Sequence, residues 1–351
     1  MAQPCGGVTQ WHPERAAGDG ARGIAKDRMN GSRAIPIWGA VGLWAALSLA
    51  ITLLGLLRFG YGGERYAWAA LVISLLLAGQ IFHGARSFTE NLKKLLGRSG
   101  VTLLPLLLGV VYLAYLLGAG EFSWLRLVGG LAWIETPALL ALSARGRRAG
   151  AWQDYAVMVV LWMPIEFAWG RYLFPYPGEA THTLEILLAL NAGTIAFLDL
   201  RELEGVGYTI AWGRGFAAVV AINFLVFAAI AIPLGEWMHF IRWAPSVARF
   251  KQLPVSALGI LFFTAWPEEF LFRGVLQNVL SKSFRSETAG WIVASFLFGL
   301  SHIVHGFPNW RYVLLAAIAG LFYGLAWRKT KSLTGDALVH ALVDTVWHML
   351  F

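Results

Sequence analysis

Charged residues and cysteine are both scarce in this sequence. Asp, Glu, Lys and Arg make up 14% of the 351 residues, against about 25% in an average soluble domain, and 58% of the residues are hydrophobic. A soluble fold of this size needs more polar surface to cover its core, so a lipid bilayer is the simplest solvent for the chain. The single cysteine, Cys5, excludes an intramolecular disulfide, and no apolar segment precedes it as in a lipoprotein signal.

Lys and Arg exceed Asp and Glu by a net charge of +8, a balance found both in nucleic-acid-binding proteins and at membrane surfaces. The basic residues lie in short clusters between apolar runs, which is typical of loops at the cytoplasmic face of a membrane. The clusters are residues 86–98, 145–148, 282–285 and 328–331. We therefore expect the lipid bilayer, and no nucleic acid, as a partner of the chain.

Eleven apolar runs follow a polar and basic segment, residues 1–34, which we interpret as an N-terminal tail. The runs are residues 36–57, 66–83, 101–119, 124–143, 151–170, 184–198, 214–234, 254–280, 288–305, 311–327 and 333–351. A helix that crosses the bilayer needs ~20 residues, and some of these runs are shorter. We predict an all-α fold, a polytopic transmembrane helix bundle of about eight to eleven helices.

The orientation in the membrane is less well determined by the sequence. With eleven spans and the tail inside, all four basic clusters fall on the cytoplasmic side. Arg242, Arg249 and Lys251 then fall outside, so either this stretch lies along the interface or the count is wrong by one span. Residues 85–99 have apolar positions at helical spacing beside two lysines, which predicts either a helix on the membrane surface or a solvated loop helix.

Ionisable residues inside apolar runs cost about 2.5–3.5 kcal/mol each at a helix centre, and the last third of the chain concentrates them. In the run WPEEFLFRGVLQN, Glu269 and Arg273 are four residues apart and can pair on one helix face. Glu268 points about 100° away from Glu269 and is left for another partner. Pro267 lies at the start of this turn, where its missing N–H costs least.

Histidines occupy two further apolar runs. His302 lies in FLFGLSHIVHG, and His305 follows it closely enough to share the same helix face. In HALVDTVWHML, His340, Asp344 and His348 are spaced four residues apart and form one polar stripe on an apolar helix.

Each of these groups has a structural interpretation as well as a catalytic one. Glu269 and Arg273 alone predict a structural ion pair, and a lone intramembrane histidine is as often a packed, hydrogen-bonding residue. The C-terminal stripe can also bind a partner helix. Together, however, the groups place carboxylates, an arginine and several histidines in apolar surroundings within one third of the chain. We therefore predict one shared, buried polar site.

The three groups resemble the motifs of the CPBP family of intramembrane proteases, which includes the type II CAAX prenyl endopeptidases and bacterial Abi-type membrane proteins. The family pattern is Glu-Glu-x-x-x-Arg, then Phe-x-x-x-His, then His-x-x-x-Asn or Asp. The sequence supplies Glu268-Glu269-Phe-Leu-Phe-Arg273, Phe298-Gly-Leu-Ser-His302 and His340-Ala-Leu-Val-Asp344, in that order. The resemblance covers about residues 250–351, which we interpret as a protease domain. It assigns no role to the upstream helices, residues 35–249.

The resemblance implies an intramembrane endopeptidase, a hydrolase that cuts a membrane-associated or lipid-modified protein or peptide. It implies further that the chain lies in the inner (plasma) membrane of a bacterium. Glu268 is implied to be the general base that activates water, helped by His302. Glu269 and Arg273 are implied to be the structural pair that holds Glu268 in place.

His340 and Asp344 are implied by the same resemblance to stabilise the oxyanion that forms when water attacks a peptide carbonyl. Many relatives resemble Asn rather than Asp at residue 344. An ionised Asp344 donates no hydrogen bond and repels an oxyanion. Three roles for it are therefore open: a protonated donor, a group that orients His340, or a metal ligand.

Metal dependence is open as well. Glu268, His302 and His340 are ligands of the kinds that zinc accepts, but the sequence has no His-Glu-x-x-His helix. If all three bound a metal, fewer groups would be left for base catalysis. We prefer activation of water without a cofactor, with zinc as the alternative.

Two other functions compete with proteolysis. A non-enzymatic membrane scaffold, such as an immunity or maturation partner, can keep the site without using it, and Asp344 in place of Asn slightly favours this. A transporter can relay protons through intramembrane carboxylates, but neither an inverted repeat nor a pair of broken helices is evident in the sequence. We prefer the endopeptidase.

Several polar residues also interrupt the upstream apolar runs, and we predict that they form hydrogen bonds between helices. They are Glu135, Glu166, Glu185, Asn191 and Asn223. For Glu166 the alternative is that it lines a path by which the substrate enters.

Overall fold

The structure, a computed structural model, describes residues 33–306 and 308–351, apart from the side chains of Arg33 and Arg214. Most of the predicted N-terminal tail, residues 1–32, lies outside the described residues. The last two residues of that segment, Arg33–Ala34, form a short strand, β1. It pairs antiparallel with β2, Ala211–Trp212.

Fourteen helices make up most of the described chain. They are α1 Ile37–Arg58, α2 Gly63–His83, α3 Phe88–Val101, α4 Leu104–Gly118, α5 Trp124–Ser143, α6 Trp152–Glu166, α7 Gly170–Leu173, α8 Thr181–Thr194, α9 Arg214–Trp237, α10 Val247–Lys251, α11 Leu253–Ser283, α12 Glu287–Ser301, α13 Trp310–Thr330 and α14 Leu333–Leu350. A π-helical turn, Ile195–Leu200, extends α8, and α11 contains two more, Leu261–Ala265 and Phe270–Gln277.

The predicted all-α, polytopic bundle is confirmed. Each of the eleven apolar runs forms a helix whose ends lie within about one turn of the predicted ends. Among the described residues, seven helical spans are long and apolar enough to cross a membrane, or eight if α3 and α4, which meet at 89°, count as one broken span. The larger count, eight, is the lower limit of the predicted range of eight to eleven. The helix α12 is a further apolar helix, but it is shorter than these spans.

Side-chain caps begin the last three helices, which carry two of the three motifs. Ser286, Asn309 and Ser332 each accept a hydrogen bond from a backbone N–H in the first turn of α12, α13 and α14, respectively. A cap satisfies one of the backbone donors that a helix start leaves without an intrahelical partner. These polar residues therefore determine where each apolar run begins as a helix.

A glycine allows α12 and α13 to approach closely. A Cβ atom on Gly299 would lie 2.5 Å from the carbonyl oxygen of Val313, which is far inside van der Waals contact. The close approach brings the end of α12, and with it His302, against α13. Two further helices complete the arrangement, since α14 packs on α13 and α9 packs on both.

The four basic clusters lie at one end of the bundle. Glu202 pairs with Lys93 at 3.2 Å and with Arg145 at 3.4 Å, which joins the first two clusters. A surface cavity is lined by residues of the second and third clusters. Glu287, just after the third cluster, pairs with Lys331 of the fourth at 3.5 Å. If all four clusters face the cytoplasm, they have to lie at the same end of the bundle, as they do. That this end faces the cytoplasm stays a prediction.

The basic stretch that conflicts with this topology lies at the other end, where α11 begins and α14 ends. It contains the five-residue helix α10, and Arg249 Nη1 donates to the carbonyl of His348 at 3.4 Å. An interfacial position for this stretch therefore stays a prediction. The helix predicted near residues 85–99 is present as α3.

Candidate active site

The two adjacent glutamates lie at the middle of the longest helix. Glu268 is the midpoint of α11, Leu253–Ser283, and therefore lies far from both ends of a bilayer-spanning segment. The single α-helical turn that carries it, Trp266–Glu269, has a π-helical turn on either side. Such turns rotate the side chains that follow them and occur frequently at functional sites. The two carboxylates are consecutive on this turn, point about 100° apart and therefore have different surroundings.

Glu269 is the buried member of the pair and lies at the centre of an ion-pair network. Its side chain is 0% exposed, and its Oε1 accepts from Arg273 Nη1 at 3.0 Å and from His340 Nδ1 at 2.7 Å. The first contact is the predicted pair within one helix. The second joins α11 to α14. Glu269 therefore orients His340, a contact that the sequence did not predict.

Arg273 is fully buried among aromatic rings. Its guanidinium carbon lies 4.2 Å from the ring centre of Phe298 and 5.2 Å from that of Tyr323. Its Nη2 also lies 3.4 Å from the carbonyl of Gly320. The rings and the Glu269 carboxylate together compensate a charge that is otherwise costly to bury. Phe298, the first residue of the Phe-x-x-x-His motif, thus has a structural role as a cation–π partner.

His340 is held in one orientation. Because a carboxylate oxygen only accepts, the imidazole donates its Nδ1–H to Glu269, which leaves Nε2 facing the cavity. Nε2 lies 3.3 Å from Asp344 Oδ2 and 3.9 Å from Glu268 Oε2. The ring stacks on Tyr323 with 4.5 Å between ring centres. His340 therefore presents one ring nitrogen between two carboxylates.

His302 is fixed by the last turn of α12. Its Nδ1 lies 2.8 Å from the carbonyl oxygen of Phe298, and since a carbonyl only accepts, this nitrogen carries the proton. In the neutral ring, Nε2 is then a hydrogen-bond acceptor. The ring packs edge-on against Tyr312, with 4.6 Å between ring centres.

Two cavities meet at Glu268 and His302. The first, here the apolar cavity, has a volume of about 140 Å³ and is lined mainly by hydrophobic side chains of α9, α13 and α14, together with His340 and Asp344. The second, here the polar cavity, has a volume of about 390 Å³ and lies between α6, α8 and α11. Glu268, whose side chain is 32% exposed, and His302 line both cavities. A small molecule that bridges the two cavities therefore has to pass these residues.

The donor atoms do not form a metal site as they stand. Among the residues that the structure describes, no group of three or more His, Cys, Asp and Glu side chains has an arrangement that would hold a metal ion. The zinc alternative, with Glu268, His302 and His340 as ligands, stays a hypothesis, and no step of the reaction below is assigned to a metal.

Three site residues escaped the sequence analysis. Asp336 is fully buried one turn before His340, and its Oδ2 has no hydrogen-bond partner among the described residues. Its spacing continues the polar stripe of α14 backwards, a signal that the sequence does contain. Tyr312 and Tyr323 pack on the two histidines, but tyrosines in an apolar run carry no such signal. His348, the last member of the stripe, lines a separate surface cavity.

Comparison with protein families gives one match, to the model described as type II CAAX prenyl endopeptidase Rce1-like. Residues 250–346 match it. The segment contains all three motifs, so the resemblance seen in the sequence is confirmed over this part of the chain. No curated protein matches the chain, and no solved structure matches it. Residues before 250 lie outside the Rce1-like segment.

The upstream polar residues fall into two groups. Asn191 donates to the carbonyl of Leu76 on α2, which is the predicted kind of contact between helices, whereas Asn223 bonds within its own helix. Glu166 and Glu185 instead line the polar cavity, opposite the Rce1-like segment. This position fits the alternative stated for Glu166, a place on a substrate path.

Proposed function

We propose that the chain is an intramembrane endopeptidase that hydrolyses a peptide bond of a membrane-associated or lipid-modified protein. The observation that carries the proposal is the meeting of Glu268, His302 and His340 at the junction of two cavities inside an apolar bundle. The match of residues 250–346 to a CAAX endopeptidase family supports the reaction class. A carboxylate and two imidazoles are sufficient for acid–base hydrolysis of an amide.

Water activation is assigned to Glu268 and His302. Glu268 has one carboxylate oxygen, Oε2, without a hydrogen-bond partner among the described residues. His302, whose Nε2 is an acceptor in the neutral ring, lines the same cavities. A water molecule held by these two acceptors has its oxygen lone pair directed at an incoming carbonyl carbon. Glu268 takes one proton from this water as the C–O bond forms.

Stabilisation of the oxyanion is assigned to His340. With Nδ1–H donated to Glu269, a proton on Nε2 makes the ring a cation whose second N–H points at the cavity. The negative charge that develops on the carbonyl oxygen is stabilised by this donor. Asp344, at 3.3 Å from Nε2, orients the ring before substrate binds. This assigns to Asp344 the second of its three open roles.

The proton taken by Glu268 completes the reaction. When the tetrahedral intermediate collapses, Glu268 transfers that proton to the leaving amide nitrogen as the C–N bond breaks. The products are a carboxylic acid and an amine, and Glu268 is again a carboxylate. Glu269 and Arg273 do not exchange protons in this sequence. They keep His340 in its orientation, since one Glu269 oxygen contacts both.

A metal analysis separates this proposal from the zinc alternative. We expect purified protein that retains full activity to contain less than one zinc per chain, and activity to survive dialysis against a strong chelator. Stoichiometric zinc that is lost together with activity on chelation, and restored together with it, would contradict the cofactor-free mechanism. The endopeptidase reaction itself would stand in that case.

Trapping in native membranes tests the function and identifies the substrate. The E268Q variant keeps the shape of Glu268 but cannot act as a base. We expect a specific membrane protein or peptide to co-purify with E268Q and to be cleaved at one bond by the wild type in proteoliposomes. Two results together would favour the non-enzymatic scaffold instead. The wild type would cleave none of the proteins that co-purify with E268Q, and cells with E268A would keep the wild-type phenotype.

A further inference from the structure

A second group of ionisable side chains lines the polar cavity, on the wall that α6 and α8 form. Glu166 ends α6 and Glu185 lies on α8, and their side chains are only 9% and 1% exposed. In each, the Oε1 atom has no hydrogen-bond partner among the described residues. A buried carboxylate oxygen without a donor is costly. The wall is therefore suited to receive a hydrogen-bond donor from a bound molecule.

The neighbouring histidines do not supply that donor. His305 Nδ1 lies 3.8 Å from Glu166, and His182 Nδ1 lies 3.7 Å from Glu185, both beyond hydrogen-bond distance. Each of these histidine side chains is more than half exposed. A single arginine, Arg171, also lines the cavity.

The charges of the cavity favour a cation. Glu166 and Glu185 on one wall and Glu268 on the other give three carboxyl groups against the one guanidinium of Arg171. No ion pair joins Arg171 to these carboxyl groups within the described part of the chain. In apolar surroundings a cation between carboxylates gains more than it does in water. The apolar cavity, on the opposite side of Glu268, has Asp344 as its one further carboxylate among the described residues, and that group lies 3.3 Å from His340 Nε2.

We propose that the polar cavity is the subsite for a cationic side chain of the substrate, Lys or Arg, next to the peptide bond that is cleaved. This inference rests on the proposed endopeptidase function. The volume of about 390 Å³ accommodates such a side chain, and its charged end supplies the N–H donors that the unpartnered oxygens of Glu166 and Glu185 lack. A neutral side chain of equal length leaves both carboxylates unpaired, and sites of this kind discriminate strongly.

A glycine supports the position of Glu185. A Cβ atom on Gly170 would lie 2.7 Å from Cγ and 2.8 Å from Cδ of Glu185, so the helix α7 backbone packs directly on this carboxyl-bearing stem. The variant G170A therefore displaces Glu185 without changing any charge. It provides a test of position that is independent of the carboxyl-to-amide substitutions.

The test compares two sets of membrane-anchored peptides in proteoliposomes that contain the full chain. One set carries a single lysine at successive positions around the cleaved bond, and the other carries norleucine, which is uncharged. For the wild type we expect kcat/KM to be at least about tenfold higher for lysine at one position, as for a charged hydrogen bond. In E166Q/E185Q, and in G170A, this ratio should fall towards one. In E135Q, where a carboxyl outside both cavities is changed, the ratio should stay as in the wild type.

Two results overturn the subsite. One is a lysine-to-norleucine ratio near one at every position for the wild type. The other is a lysine-to-norleucine ratio of kcat/KM that is the same in E166Q/E185Q as in the wild type. This includes the case in which the double variant cleaves both peptides more slowly by the same factor, which would show that the cavity supplies water. If the wild type cleaves no peptide, the proposed function fails. Equilibrium binding of the same peptides to the chain in nanodiscs then decides the subsite: tighter binding of lysine that the double variant loses supports it, and equal binding of lysine and norleucine overturns it.

Discussion

Two neighbouring glutamates have separate tasks because their surroundings differ. Each has one oxygen, Oε2, without a hydrogen-bond partner among the described residues, but Glu269 is fully buried and its Oε1 is bound by Arg273 and His340, whereas Glu268 is one-third exposed and lines both cavities. A buried carboxylate that is bound to a guanidinium and an imidazole is a poor base, and one that lines a cavity is a suitable one. The consecutive positions on one helix produce this division, since neighbours point about 100° apart.

The variant E269Q should destabilise the fold as well as reduce cleavage. It removes the negative charge shared by Arg273 and His340 and leaves a buried guanidinium without a counter-charge, which costs about 3–5 kcal/mol. We expect a large drop in the melting temperature of the detergent-solubilised protein. E135Q is the matched control, because Glu135 is not bound by a charged partner among the described residues, and it should melt close to the wild type. Equal melting of wild type and E269Q would contradict the network.

Substitutions at Asp344 distinguish its possible roles. D344N keeps an acceptor for His340 Nε2 and adds an N–H donor beside the oxyanion, so we expect it to retain most of the activity. D344A removes the orienting contact at 3.3 Å, and we expect kcat to fall by about 10²-fold, as when one oxyanion-stabilising contact is lost. Peptide cleavage in proteoliposomes measures both. Loss of activity in D344N to the level of D344A would show that the negative charge itself is required.

For single residues, the sequence shows which polar side chains lie in apolar runs, but it does not predict every side chain that they contact. The Glu269–Arg273 pair follows from its spacing on one helix and is present. The Glu269–His340 contact joins residues 71 positions apart and depends on how α11 and α14 pack, which spacing does not determine. Asp336 was missed although its spacing from His340 continues the stripe.

Helix contacts, rather than helix ends, determine where the site lies. The approximate ends of all eleven apolar runs follow from hydropathy. The π-helical turns on both sides of Trp266–Glu269 do not, because an extra residue in a helical turn leaves the run of apolar residues unchanged. The close contact of α12 with α13 at Gly299 likewise depends on the fold.

Gly299 provides a test of that contact. In G299A the new methyl group meets the carbonyl of Val313 and must push α13 away, at a cost of about 1–3 kcal/mol. Because His302 follows at the end of α12, we expect both the melting temperature and the cleavage rate to fall. The control is G259A in α11, where nothing lies within 4 Å of the added Cβ, and which should retain the stability of the wild type. If both variants behave alike, the contact does not position His302.

Over the whole molecule, the catalytic motifs and the cavity walls come from different parts of the chain. The Rce1-like segment supplies the three motifs, whereas α9 lines the apolar cavity and α6 and α8 line the polar cavity. From the sequence, only Glu166 is connected with a substrate path, as an alternative. Apart from such isolated polar residues the upstream helices are apolar, so hydropathy does not distinguish a cavity wall from a surface that faces lipid.

The basic end of the bundle gives a prediction for pH. Partial burial alone raises the pKa of Glu202, but Lys93 and Arg145 outweigh it and lower the pKa below the ordinary value. A carboxyl with a lowered folded pKa stabilises the fold above its unfolded pKa, and this contribution is lost as the pH falls through the folded value. We expect wild type to melt slightly above E202Q at pH 7, the difference to shrink once the pH falls below the unfolded pKa of about 4.3, and to vanish below the lower folded pKa.

The expected difference is small because the Glu202 side chain is 47% exposed and its ion pairs are screened by solvent. E90Q, at an exposed glutamate of α3 that forms no ion pair within the described residues, is the control and should show no dependence. A difference for E202Q that persists unchanged into acid would show that the ion pairs do not cause it.

The central claim is that three distant segments form one hydrolytic site inside the membrane. The rate at which reconstituted wild type and E268Q cleave a single bond of a membrane-anchored peptide tests it most directly. We predict cleavage by the wild type and a rate about 10²–10⁴-fold lower for E268Q, with both proteins equally folded. Cleavage by E268Q at the rate of the wild type would contradict the account.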